Sequence, residues 1–220
     1  LGIIPLFMAG DKQFFYYADK VSKQTGAELI VFCINPLEYT YFKSGFSGVS
    51  DSKYYNTSVG KKIRLISFYL RQFITNPSYL NRSLLDTIWA FASSYMISPD
   101  FLIPFEYISW EENTVDKILI ELYDWEGAPD TKTLWRVGDG TAPFYNYIYH
   151  KVTGFSENDT FRSNQIREGI LTRDQGLQMA MEDNQPRWES IREYLELIDL
   201  PFRETIAVID AIPPLYERQN

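Results

Sequence analysis

The stretch Leu29-Ile30-Val31-Phe32-Cys33-Ile34 sets six apolar residues in a row, rich in β-branching. Such a run reads as a strand buried on both faces. Ahead of it, Asp11–Gln24 carries Phe14, Phe15, Ala18 and Val21 at helical spacing, and Gly26 stops it. A helix running straight into a doubly buried strand is one step of a parallel sheet, whose strands need neighbours joined by crossovers. Only Ile3–Phe7 and Phe105–Ile108 offer further short strands. An open edge at 29–34 invites aggregation, so the missing strands are expected upstream in a longer polypeptide or on a second chain. The first is favoured: the chain opens Leu1-Gly2-Ile3-Ile4-Pro5, without an initiator Met. The expected fold class is therefore α/β, the C-terminal part of a parallel-sheet domain followed by a mainly helical body. The boundary falls between residues 1–57, a partial α/β nucleotide-binding-like domain, and 58–220, a helical region for substrate and scaffold.

The helical body is legible from its caps and stops. Ser58 caps a helix with Ile63, Ile66, Leu70 and Phe73 on one face, ending near Asn76-Pro77. Asn81 or Ser83 opens the next, which Pro99 ends, and Asn113 or Thr114 a third. Pro143, tolerated in a first turn, opens a fourth that Gly154 closes. Ser156-x-x-Asp159 begins a fifth, closed by Gly169, and Thr172-x-x-Gln175 is a capping box for a sixth. Pro186 and Pro201 open the last two, and Asp124–Gly140 is the longest loop.

Composition removes several function classes. With 21 Lys and Arg against 29 Asp and Glu the net charge is -8, a poor balance for neutralising nucleic-acid phosphates. One cysteine, Cys33, excludes an internal disulfide framework and is expected to be a buried small hydrophobe. A single histidine, His150, beside that lone cysteine excludes the usual zinc sites within this chain and removes most readings built on histidine-dependent triads. No apolar run is long enough to span a bilayer, and no signal peptide opens the chain. The cytoplasm is the default compartment.

Three stretches carry polar chemistry. Asn35-Pro36-Leu37-Glu38 leaves the predicted strand and leads through Lys43 to Gly45. Ligands of open α/β sheets sit beyond strand carboxyl ends, so Asn35, Glu38 and Lys43 are candidates, with an ordinary strand-exit turn as the alternative. Trp135-Arg136-Val137-Gly138-Asp139-Gly140-Thr141 sets a carboxylate between glycines just before a helix. There Arg136 can grip an anion bidentately, or the segment is a surface Asx turn. In Phe161-Arg162-Ser163-Asn164-Gln165-Ile166-Arg167-Glu168-Gly169, helical spacing puts Asn164 beside Glu168 and Arg167. That set holds a polar ligand or forms a solvated face with weak ion pairs. Ser47-Gly48-Val49-Ser50-Asp51-Ser52 approaches a phosphate loop, but Val49 replaces a glycine and no strand leads directly into it.

Taken together, Gly10-Asp11-Lys12 with its aromatic helix and the three polar stretches resemble the C-terminal portion of the N-acetyl sugar amidotransferases, from about Pro5 to about Leu200. These are pyrophosphatase-loop ATP-utilising ligases of lipopolysaccharide and surface-polysaccharide biosynthesis. The resemblance implies a Rossmann-like (adenine nucleotide alpha hydrolase-like) sheet, ATP and Mg²⁺, a nucleotide-sugar substrate and a partner glutaminase subunit supplying ammonia. ATP would adenylate the acetamido oxygen of the sugar, and ammonia would displace AMP to leave an acetamidino group. The family's S-G-G-x-D-S loop is absent here, so a missing N-terminal segment would hold the ATP phosphates. In that frame Lys43 and Arg136 meet developing negative charge or phosphate, with Lys43 and Asp139 as the catalytic residues. Asn35, Glu38 and Asp139 hold sugar hydroxyls, amide or metal, while Arg162, Asn164, Arg167 and Glu168 shape the substrate side. Lys43, Arg136 and Arg167 are expected to converge on one cleft. The competing class is a non-catalytic helical module that docks a partner protein. A glycan hydrolase with a carboxylate pair is a weaker third, because no pair here has a telling spacing.

Overall fold

The computed structural model describes residues 13–40, 58–80, 84–85, 88–89, 92, 101–137 and 140–215. The chain divides into two compact units. One comprises Leu1–Ile34 with Thr40–Tyr107, the other Asn35–Tyr39 with Ile108–Asn220.

In the first unit, helix α1 (Phe14–Thr25) ends at Gly26, whose left-handed backbone (φ 70°) lets its N–H close on the Ser22 carbonyl. Strand β1 (Ile30–Val31) follows and pairs in parallel with β2 (Phe101–Leu102), Ile30 opposite Phe101 and Val31 opposite Leu102. Phe15, Phe32 and Phe101 stack their rings over this ladder at centroid distances of 4.8–5.5 Å. Helix α2 (Val59–Thr75) begins at Ser58, whose hydroxyl accepts from Lys61 N–H, and ends at Asn76-Pro77. Of its apolar residues Leu65 is buried, whereas Ile63, Ile66 and Leu70 are exposed. Residues 84, 85, 88, 89 and 92 are helical.

The expected Rossmann-like α/β fold is not what forms. Among the described residues the only sheet has two strands of two residues each, and helices dominate. The reason lies in the apolar run itself. Leu29 and Val31 are 61% and 49% exposed and Cys33 is exposed, while Ile30, Phe32 and Ile34 are half-buried. One face is covered, not two, so an unbroken apolar run here marks a half-covered ribbon. Asn35-Pro36 then ends pairing at once, because proline cannot donate to a ladder. The segment expected as a strand at Phe105–Ile108 holds instead a 3-10 turn, Pro104–Glu106, just after β2. The candidate strand Ile3–Phe7 lies outside the described residues.

The second unit is helical: α3 (Glu112–Tyr123), α4 (Thr141–Thr153), α5 (Glu157–Arg167), α6 (Arg173–Asp183), α7 (Trp188–Leu197) and α8 (Phe202–Asp210). Both capping boxes form. Ser156 and Asp159 satisfy each other's backbone ends at α5, and Thr172 and Gln175 do so at α6. Helix α5 packs on α6 and on a single 3-10 turn at Pro36–Glu38, and α7 packs on α4. Leu37, carried by that turn, forms a core with Trp135 and Phe161, against which Trp110 packs. The Trp135 and Phe161 rings lie parallel, 4.1 Å apart.

Candidate functional site

The second unit brings Asn35 and Glu38 together with Arg136, which lies 98 residues beyond Glu38, and with Asn164 on α5. Asn35 is buried, and its side-chain oxygen accepts from Leu37 N–H, which starts the 3-10 turn and presents Glu38. Arg136 follows Trp135 in a left-handed backbone (φ 57°), and its guanidinium lies 5.2 Å from the Trp135 ring. That guanidinium bonds the Tyr145 hydroxyl, lies 3.2 Å from the Glu157 carboxylate and 3.5 Å from that of Glu38. Asn164 donates to the main-chain carbonyls of Leu37 and Tyr39, pinning the turn to α5.

Glu157 is the member that motif reading missed. It is the first residue of α5, and an acid there reads as a response to the helix dipole. Its side chain is instead wholly buried. It accepts from Tyr145 Oη at 2.6 Å and from Asn146 at 3.5 Å, while its backbone N–H donates to Asn146 Oδ1. The two carboxylates thus differ in access, with the Glu38 side chain 34% exposed. Burial pushes the Glu38 carboxyl up, with Arg136 and the Trp135 indole opposing and the nearby Glu157 charge adding to the rise.

The other predicted residues are placed differently. Arg162 is not a surface ligand group. It is 1% exposed, with its guanidinium bonded to Glu112, to Asp183 at 2.7 Å and to Gln165 at 2.8 Å. Thr133 and Gln165 complete the Glu112 partners. Burial alone would raise the Glu112 carboxyl, but these donors outweigh it and hold it low. At Asp183 burial prevails and the carboxyl is raised. Helical periodicity cannot tell this interior cation from a surface one. Arg167 is exposed and donates to Asn164 Oδ1 at 2.8 Å, as its spacing suggested. Glu168 is exposed at the end of α5. Lys43, Asp139 and the Ser47–Ser52 loop lie outside the described residues.

A small cleft of about 40 Å³ opens beside Arg136, lined among others by Thr133, Asn146, Asn184 and Arg187. Arg167 is not among its lining residues. Its polar walls are committed internally. Asn184 bonds Ser156, Asn158 and Asp159, and Arg187 pairs with Asp130 at 3.1 Å. The space suits a few waters and is far below the several hundred Å³ usual for a small-molecule pocket. The part of the cluster with reach to a ligand is the Glu38–Arg136 edge.

Among the described residues no group of three or more His, Cys, Asp or Glu could hold a metal ion. None forms a glycine-rich turn from strand to helix either. The described residues therefore do not fit Mg²⁺ or the ATP phosphates. No described helix is long and apolar enough to cross a membrane. No family model, curated protein or solved structure matches the chain.

Proposed function

We propose that this chain forms the substrate side of an ATP-dependent amidotransferase acting on a nucleotide-linked N-acetyl sugar, in the cytoplasm and in surface-polysaccharide biosynthesis. One observation carries the reading: described residues of three of the stretches that bear the resemblance, at 35–39, 135–136 and 161–164, meet in one cluster. Glu38 reaches Arg136, Trp135 stacks on Phe161, and Asn164 holds the turn that presents Glu38. Partnered polar side chains of this kind, left half-open at one edge, suit hydroxyl and amide groups of a sugar. Phosphate handling falls to residues outside those described, Lys43 or an upstream loop, and ammonia to a glutaminase subunit.

The test is an incubation of the full-length protein with Mg-ATP, ammonium and a uridine diphosphate N-acetyl sugar. Release of AMP and pyrophosphate, with the acetamido oxygen replaced by NH in the mass spectrum, is expected. Absence of both, from protein shown to be folded, removes the reading. The runner-up, a non-catalytic docking module, draws support from the exposed Phe14, Tyr17 and Val21 on α1 and Val59, Ile63 and Leu70 on α2. It predicts a stable protein complex and no nucleotide turnover.

A further inference from the structure

We propose that Glu157 is a positioning residue: through Arg136 it fixes the orientation and the charge balance of Glu38, so that Glu38 meets the hydroxyl or amide N–H end of the sugar and not the diphosphate. This rests on the reading of the Glu38–Arg136 edge as substrate-facing.

The geometry ranks the two carboxylates. Arg136 approaches Glu157 at 3.2 Å and Glu38 at 3.5 Å. Glu157 is fully enclosed and receives Tyr145 Oη at 2.6 Å, and Tyr145 also takes a bond from the guanidinium. Asn146 grips Glu157 twice, at its backbone N–H and at its carboxylate. The guanidinium is thus held through Nη1 by Glu157 and Tyr145, and its Nη2 turns to Glu38. Arg136 holds this side chain from a left-handed backbone, disfavoured for any residue with a β-carbon.

The charge balance follows. Two carboxylates share one guanidinium, and its shorter contact goes to the enclosed one. Glu38 is the accessible member of the two. As a carboxylate it accepts from hydroxyl and amide donors and repels phosphate. Direct repulsion from Glu157 and the sharing of Arg136 both act on Glu38. Taking the charge off Glu157 therefore moves Glu38 in one direction: it pairs more closely with Arg136 and becomes a stronger acid.

The experiment uses Glu157→Gln in the full-length protein. Its first measurement is the Glu38 titration midpoint by carboxyl-carbon NMR, assigned with Glu38→Gln. The midpoint is expected to fall in Glu157→Gln. The second is calorimetry with a uridine diphosphate N-acetyl sugar and with uridine diphosphate alone. Affinity for the sugar nucleotide is expected to drop about tenfold, the effect of one charge-assisted hydrogen bond, with affinity for the free diphosphate unchanged. An unchanged midpoint overturns the proposal. So does an unchanged sugar affinity, or an equal loss for both ligands. If the parent protein binds neither ligand, the substrate reading fails, and the midpoint alone then decides whether Glu157 governs Glu38. Should Glu157→Gln not fold, Tyr145→Phe removes the hydroxyl that Glu157 and Arg136 share and keeps the ring. The same midpoint and affinities are then read, with the same outcomes.

Discussion

Replacing Arg162 by Met should be among the most damaging single changes to the second unit. The side chain is 1% exposed, and its guanidinium pairs with both Glu112 and Asp183, which are themselves nearly enclosed. Met keeps much of the apolar stem but leaves two buried carboxylates without their cation. Breaking a buried pair in this way typically costs about 3–5 kcal/mol. A domain with about 5–15 kcal/mol of total stability loses a large share of it. At about 4–8 °C per kcal/mol for a unit near a hundred residues, the melting temperature should fall by roughly 10 °C at least. The assay is urea denaturation followed by tryptophan fluorescence, with Trp135 stacked on Phe161 as reporter.

The dependence on pH supplies a second arm. In the parent protein the Glu112 carboxyl is held low, so its contribution is present above the unfolded value and is lost as pH falls through the folded one. Asp183 is raised, so it binds its proton more readily when folded, and stability falls as pH rises through that range. In Arg162→Met both carboxyls rise, and acidification neutralises them. The gap between variant and parent should therefore narrow as pH drops below the usual carboxylate range. The triple change Arg162→Met, Glu112→Gln, Asp183→Asn should recover most of the loss at neutral pH. A loss below about 1 kcal/mol, or a gap that does not narrow in acid, refutes the account of Arg162 as the internal counterion.

Three further outcomes are expected. Ser156→Ala removes the cap of α5 together with the bond to Asn184, and should cost about 1–2 kcal/mol in chemical denaturation. Gly176→Ala places a β-carbon 2.5 Å from Ile166 Cδ1 and 2.8 Å from its Cγ1, so the Ile166 side chain must give way. A loss of about 1–3 kcal/mol should appear as a lower melting temperature, whereas Gly60→Ala, with open space around it, should show none. Burial would raise the Asp130 carboxyl, but Ser190 N–H and Arg187 outweigh that and hold it low. Its stabilisation should be present above the unfolded value and lost as pH falls through the folded one, a loss absent from the acid titration of Asp130→Asn.

Much of the second unit was legible because its helix ends are local chemistry. Ser156 with Asp159, Thr172 with Gln175, and Gly154 after α4 need only a few neighbouring residues to act, and each acts as its spacing predicts. The Arg167–Asn164 bond is legible for the same reason. What the sequence hides is burial decided by distant chain. Leu29–Ile34 has the apolar content of a doubly covered strand, yet coverage depends on neighbours the run does not encode, and only one side is covered. Arg162 and Arg167 look equivalent along the sequence. One turns inward because Glu112, fifty residues earlier, and Asp183, on the next helix, meet it there. Glu157 escaped notice because a first-turn acid normally answers to the helix dipole. Its partner Arg136 lies in a loop whose left-handed backbone no residue pattern announces.

Asn35–Tyr39 belongs to the second unit, while the chain on either side belongs to the first. No single cut separates the units. A fragment starting at residue 108 would reach the test tube with a hole in its core where Leu37 lies against Trp135 and Phe161. Asn164 would have lost the two carbonyls it holds, and Arg136 its outer carboxylate. Five residues made early on the ribosome must wait for about a hundred more before their partners exist. Until then the Leu37 side chain has no core to enter. Boundary mapping by truncation would therefore report an unstable domain where the intact chain has a well-packed one, and an internal graft of residues 35–39 is the way to recover it.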